Sequence, residues 1–178
     1  MQRALELPAE PMDLSKLSQQ VVDCLGQQRA KLVLAESCTS GLIAASLGCV
    51  PGVSQYLCGS AVVYRDQTKL DWLGVEASVI DEFTSVSEAA TSAIARGVLE
   101  KSREATVSLG ITGHLGPGSP EALDGKVFVA CYRRTKELTI TELELKQFQL
   151  ETDSRSERQV EAAAIALNQL KQSLSDWR

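Results

Sequence analysis

The chain is poor in the residue types on which several common chemistries depend. Histidine occurs once in 178 residues, at His114. A single imidazole leaves no Cys/His set for zinc, and it deprives a serine or cysteine of its usual base unless His114 itself serves. The five cysteines, Cys24, Cys38, Cys49, Cys58 and Cys131, are scattered and form no C-x-x-C pair. That pattern fits reduced thiols better than a disulfide framework. Aromatic residues make up 4% of the chain, so an aliphatic core of Val, Leu, Ile and Ala is expected. The 18 Lys and Arg are outnumbered by 23 Asp and Glu, giving a net charge of −5. That is the wrong sign for a nucleic-acid partner. No apolar run approaches the roughly 20 residues needed to cross a bilayer. Residues 1–13 mix charge with proline where a secretory signal would be apolar. No nucleic acid, no membrane and a cytoplasmic setting are therefore expected.

What is present reads as one α/β domain. A chain of this length buries about 70% of the surface its unfolded form exposes, enough for an ordinary core. Residues 1–12 hold two prolines without periodicity and read as a loose leader; 13–178 read as a single domain. Leu14, Leu17, Val21, Val22 and Leu25 recur at helical spacing, with Asp13 or Ser15 as cap. Strands are expected at 32–35, 60–64, 105–111 and 127–132, with an edge strand over 138–148. Helices are expected at 42–47, 67–73, from Ser87 through Leu99, and at 153–174. This alternation predicts a three-layer α/β/α sandwich with a mixed, mostly parallel sheet, the last two strands forming a hairpin.

Ligands in open α/β sheets gather beyond the carboxyl ends of strands. Three polar or glycine-rich loops leave such ends: Glu36 to Gly41, Tyr64 to Lys69, and Thr112 to Gly118. The first opens a helix, whose unpaired amides serve an anion or a developing oxyanion. The same residues also suit plain capping by Ser37 or Thr39, and both readings stand. Ser37 is a candidate nucleophile that needs a base. A lysine serves when burial pulls its pKa from about 10.4 toward neutrality. Lys69 is the best-placed amine, and an ordinary exposed helix lysine is the alternative.

Ala35-Glu36-Ser37-Cys38-Thr39-Ser40-Gly41 is close to A-E-S-C-T-G-G. It is followed in order by Pro51-Gly52-Val53-Ser54, Val62-Val63-Tyr64, Lys69, Leu73-Gly74-Val75, Val86-Ser87-Glu88, Thr112-Gly113 and Gly116-Pro117. In these motifs, from about Leu14 to Leu170, the chain resembles the CinA C-terminal-domain family, whose best-defined activity is nicotinamide mononucleotide deamidation. The resemblance implies a serine amidohydrolase with a Ser/Lys dyad and neither metal nor cofactor. By position, Ser37 is then the nucleophile, Lys69 the base and Tyr64 an assisting hydroxyl. Glu36, Cys38, Thr39, Ser40, Gly41, Thr112, Gly113, His114 and Arg158 fall on the substrate side. The implied partner is a small anionic nucleotide, and the implied assembly a homodimer. Amides near Thr39 to Gly41 are the expected oxyanion donors.

The chain also departs from the pattern. Ser40 replaces the second glycine, adding bulk near the backbone. Asp66 replaces an asparagine, and its charge would hold Lys69 protonated. His114 and Leu115 replace small residues, K-P-V-G reads Ala122-Leu123-Asp124-Gly125, and G-D-R reads Thr152-Asp153-Ser154, with Arg155 displaced by one and Arg158 in register. Three functions follow: a deamidase of altered preference, a weakly active or non-catalytic nucleotide- or partner-binding paralogue, or a thiol enzyme using Cys38.

Overall fold

A computed structural model describes residues 13–176, so the leader at 1–12 lies outside the described residues. In chain order the elements are α1 (Leu14–Gln28), β1 (Leu32–Glu36), α2 (Leu42–Gly48), β2 (Leu57–Val62), α3 (Asp66–Leu73) and α4 (Ala77–Phe83). There follow α5 (Glu88–Lys101), β3 (Val107–Gly113), β4 (Lys126–Arg134), β5 (Ile140–Gln149) and α6 (Arg155–Ser175). Asp13 caps α1, its carboxylate accepting from the amides of Ser15 and Lys16. Ser154 and Glu157 form a reciprocal capping box at the start of α6.

The sheet order is β2-β1-β3-β4-β5. β1 pairs in parallel with both β2 and β3, whereas β4 runs antiparallel to β3 and β5. Only β4 therefore opposes the common direction, and the β4–β5 hairpin is present as expected. All five residues of β1 are buried. The reason is the layering: Leu32 and Leu34 face the core beneath α1, α2 and α6, while Val33 and Ala35 face the core beneath α5. A strand buried on both faces needs a continuous apolar run, which explains why β1 does not alternate. On the α5 side the helix lies close to the sheet. A Cβ on Gly110 would stand 2.7 Å from Ala95 Cβ, so that strand position admits glycine alone.

Several boundaries differ from expectation; β3 runs from Val107 to Gly113, so Thr112 and Gly113 lie on the strand rather than in the loop after it. The second strand ends at Val62, leaving Tyr64 on the loop beyond it, because β2 pairs with β1 from Leu57 onward. α4 was not expected; none of its seven residues is fully buried, and only Val79 and Ile80 pack in part against the core beneath α5. α2 covers one face of the sheet and α5 the other, so a crevice opens at the carboxyl ends of β1, β2 and β3.

Candidate active site

The turn after β1 is organised by Glu36. Its side chain is fully buried and accepts five hydrogen bonds: Thr39 Oγ1 (2.8 Å), Ser60 Oγ (3.0 Å), and the amides of Gly41 (3.0 Å), Ile43 (3.1 Å) and Ala44 (3.0 Å). Every partner is a donor, so the group acts as an acceptor-only carboxylate. It fills the amino terminus of α2, which is therefore not open to a ligand. The Ser40 amide is also taken, by Ser37 O at 3.1 Å. The expected oxyanion donors move accordingly: among the described residues, the amides of this turn left without an acceptor oxygen are those of Cys38 and Thr39.

With its amino terminus occupied, the turn presents Ser37 and Cys38 to a cavity of about 300 Å³. Ser37 is 7% exposed, and its amide is pinned to Ile111 O on β3 at 3.2 Å. Thr39 is buried with its hydroxyl on Glu36, while Ser40 and Gly41 lie off the cavity wall. Ser40 adopts φ 54, the left-handed region, at a strain of about 1 kcal/mol for a side-chain-bearing residue. Its side chain is exposed, so the bulk it adds does not narrow the cavity.

The other walls come from four segments. Tyr64 and Lys69 come from the β2–α3 region, Ser85 and Val86 precede α5, Gly113 ends β3 with residues 114–120 following it, and Arg155 projects from α6. Lys69 is 1% exposed, although it sits on a short surface helix. Its Nζ donates to Tyr64 O and to Asp66 Oδ1, both at 3.4 Å, beyond the usual range of an N–H···O bond. Burial lowers its basicity more than Asp66 raises it, so the amine is shifted downward. The Asp66 substitution thus weakens the depression without reversing it. Cys38 moves the other way: burial pushes its thiol up to about 12, against the smaller pull of the Cys38 and Thr39 amides. A thiolate is not populated there at neutral pH.

The remaining expected residues divide. Gly113 and His114 line the cavity. A Cβ on Gly113 would clash with Val127 Cγ1 and stand 3.1 Å from Cys38 Sγ, so only glycine fits between the Ser37 turn and β4. Thr112 stands behind the wall. Thr91 Oγ1 donates to Ser87 O at 2.7 Å, so Thr112 must donate to Thr91, tying β3 to the start of α5. Arg158, expected on the substrate side, is engaged elsewhere: its Nη1 donates to both Asp124 oxygens at 2.9 Å and its Nε to Thr152 O at 2.7 Å. It fastens the 113–125 loop to α6. The guanidinium that reaches the cavity belongs to Arg155, bonded to Gly116 O and to Tyr64 Oη (2.7 Å). The Tyr64 ring is 52% exposed at the rim. Ser85 falls in no sequence motif, and Val86 stands in the Val86-Ser87-Glu88 motif without having been expected on the cavity wall.

Among the described residues, no group of three or more His, Cys, Asp or Glu is placed to hold a metal, and no helix is long and apolar enough to cross a membrane.

Comparison with known proteins places the fold. The chain is 42% identical over 112 residues to a CinA-like protein of Myxococcus xanthus, covering 62% of this chain and 26% of that protein. A CinA-like protein of Dictyoglomus thermophilum is 38% identical over 133 residues, 74% of this chain and 32% of that protein. The chain thus spans about a third or less of the length of the curated relatives it matches. Solved structures align almost end to end. A CinA superfamily protein from Klebsiella pneumoniae superposes with a TM-score of 0.83 at 26% identity, over 93% of this chain and 99% of that one. A competence/damage inducible protein from Agrobacterium tumefaciens gives 0.82 at 27% identity, over 96% and 100%. The CinA C-terminal domain family matches residues 14–174, and the chain belongs to that family.

Proposed function

We propose that this domain is an amidohydrolase that deamidates nicotinamide mononucleotide to nicotinic acid mononucleotide, with Ser37 as nucleophile and Lys69 as general base. The observation that carries it is Lys69: an amine 1% exposed, with lowered basicity, opening on the same cavity as Ser37. A buried amine with no tight partner is unfavourable for folding, and enzymes retain such groups where a neutral lysine is needed. The volume of about 300 Å³ stands at the small end of ligand sites, which suits a mononucleotide better than a dinucleotide.

In this reading neutral Lys69 Nζ takes the Ser37 hydroxyl proton as Oγ attacks the carboxamide carbon. The oxyanion falls to the Cys38 and Thr39 amides, a contribution of about 3 kcal/mol per donor. Lys69 returns the proton to the amide nitrogen as the C–N bond breaks, releasing ammonia and leaving an ester on Ser37. A water molecule, deprotonated by Lys69, then attacks the ester. The acid leaves, and the proton returns to Ser37 Oγ. The five unpaired thiols fit a reducing, cytoplasmic setting, and the family resemblance adds a homodimer, which light scattering tests.

The test is ammonia release from nicotinamide mononucleotide by wild type, Ser37→Ala and Lys69→Met. Turnover by the wild type and its loss in both variants, each still folded by circular dichroism, supports the proposal. Persistence in both removes it. A second reading, nucleotide binding without turnover, is favoured by Asp66 at 3.4 Å from Lys69 Nζ. Calorimetric binding of the nucleotide with no ammonia at high enzyme concentration would select it.

A further inference from the structure

Glu36 fills the inside of the turn after β1, while its outside is held from a distant part of the chain. Gln159, half-buried on α6, donates its side-chain amide to Thr39 O at 2.9 Å, across 120 positions of sequence. Among the described residues, the other hydrogen bonds made by residues 37–41 come from within the stretch 36–45, with one exception. That exception is the Ser37 amide, bonded to Ile111 O on β3 at 3.2 Å. Beyond Glu36, the turn is therefore tied to the rest of the fold at two points, Ser37 N and Thr39 O. The amides of Cys38 and Thr39 lie between them. The carbonyl that Gln159 holds also opens a strained segment. It accepts from the Leu42 amide at 3.1 Å, closing a turn whose central residues, Ser40 at φ 54 and Gly41 at φ 94, are both left-handed. Gly41 takes that conformation freely, but the Cβ of Ser40 resists it. Such backbone persists only where its surroundings over-determine it. Leu42 belongs to the same turn and moves with it; Gln159 anchors it from outside.

We propose that Gln159 is a positioning residue for the reaction at Ser37: by holding the Thr39 carbonyl it keeps the left-handed turn closed and the Cys38 and Thr39 amides fixed relative to the Ser37 hydroxyl. Gln159 is not on the cavity wall, so it acts through the turn and not on the substrate. The catalytic half of this rests on the amidohydrolase reading; the mechanical half, the hold on the turn, does not. Without the donor the two amides lose their aim at the developing oxyanion, while the walls that bind the substrate stay in place. The loss therefore falls on kcat and not on KM.

The experiment uses Gln159→Met, which keeps the length and removes the donor, and Gln159→Lys, which restores one, each alone and combined with Ser40→Gly. Ammonia release from nicotinamide mononucleotide gives kcat and KM, and calorimetry with nicotinic acid mononucleotide gives the affinity for a ground-state ligand. Amide hydrogen exchange, followed by NMR, reads Ser40 and Leu42, whose bonds to Ser37 O and Thr39 O close the turn. Gln159→Met is expected to lower kcat about three- to tenfold, the range for one neutral hydrogen bond. KM and product affinity should stay at the wild-type values, exchange at both amides should quicken, and Gln159→Lys should recover part of each loss. In Ser40→Gly the left-handed turn needs less holding, so the loss from Gln159→Met should shrink, the mark of two coupled positions. A merely structural role gives a lower urea midpoint with the kcat of the folded enzyme unchanged, and that result overturns the proposal. So does a fall in product affinity matching the fall in kcat/KM, which would make Gln159 a substrate contact, or an equal loss with and without Ser40→Gly. Failure of the amidohydrolase reading has a different signature, a wild type that releases no ammonia. Faster exchange at Ser40 and Leu42 in Gln159→Met, reversed in Gln159→Lys, then sustains the hold on the turn alone, and unchanged exchange overturns that as well.

Discussion

The side chain of Lys69 is 2% exposed and its amine lies 3.4 Å from a carboxylate, Asp66, that is itself 55% exposed. The pair is unequal: water screens the acid, while the amine bears the full desolvation. Burial therefore outweighs Asp66 in setting the basicity of Lys69. Asp66→Asn removes the charge that favours the ammonium form, so the neutral base should persist to lower pH. The acid limb of the kcat/KM profile should move down in pH, with a severalfold gain over wild type at mildly acidic pH. A limb that stays put, or moves up, would mean Lys69 is not the group being titrated.

The same burial has a consequence for stability. Lys69 has a lowered pKa in the fold and 10.5 as its reference value. Between the two, the unfolded chain holds more protons than the native one, so stability rises with pH across that window. At neutral pH, folding bears the burial of an amine that Met would not impose. Lys69→Met should therefore unfold at higher urea than wild type at pH 7, with the difference narrowing toward pH 10.5, while activity falls about a thousandfold or more. A variant less stable than wild type at pH 7 would show that Lys69 is held by contacts stronger than its two bonds of 3.4 Å.

Glu36 makes the opposite prediction. Its carboxylate gathers three amides and two hydroxyls, and among the described residues it forms no salt bridge. A glutamine offers a donor where an acceptor is required, leaving at least one buried amide unpaired. Glu36→Gln should cost about 2–3 kcal/mol in urea unfolding, and Ser60→Ala, which removes one of the hydroxyls, about 1 kcal/mol. Equal effects from the two substitutions would show that Glu36 is not the organiser of the turn.

Much of this was legible in the sequence, for identifiable reasons. β1 announces itself because both its faces are buried and Leu32 to Ala35 form an unbroken apolar run. The turn from Ser37 to Gly41 is legible because small polar residues follow that strand directly. The role of Glu36 was not, since an acidic residue beside a serine reads equally as ligand contact or cap. What decides it is the position of α2, a tertiary fact. Arg155 and Arg158 could not be told apart by spacing, because both lie in the first turns of one helix. The distinction rests on Asp124, which the 113–125 loop brings to Arg158 from a distant part of the chain. α4 was illegible because only Val79 and Ile80 of its seven residues reach the core, and only in part, too few to make a periodic pattern.

Cys38 tests whether the turn carries one nucleophile or two. It lies next to Ser37 on the cavity wall, and the Cys38 and Thr39 amides draw its thiol toward ionisation. Burial wins, and the thiol is pushed up to about 12, so it stays protonated at neutral pH and nucleophilically silent. Cys49 and Cys58 are exposed, whereas Cys38 and Cys131 are buried. Iodoacetamide on the native protein should modify Cys49 and Cys58 first and leave Cys38 intact until urea unfolds the chain, as peptide mass mapping would read out. Cys38→Ala should keep ammonia release within severalfold of wild type, the remaining loss reflecting the small void beside Gly113. Early alkylation of Cys38, or an inactive Cys38→Ala alongside an active Ser37→Ala, would transfer the nucleophile's role to the sulfur.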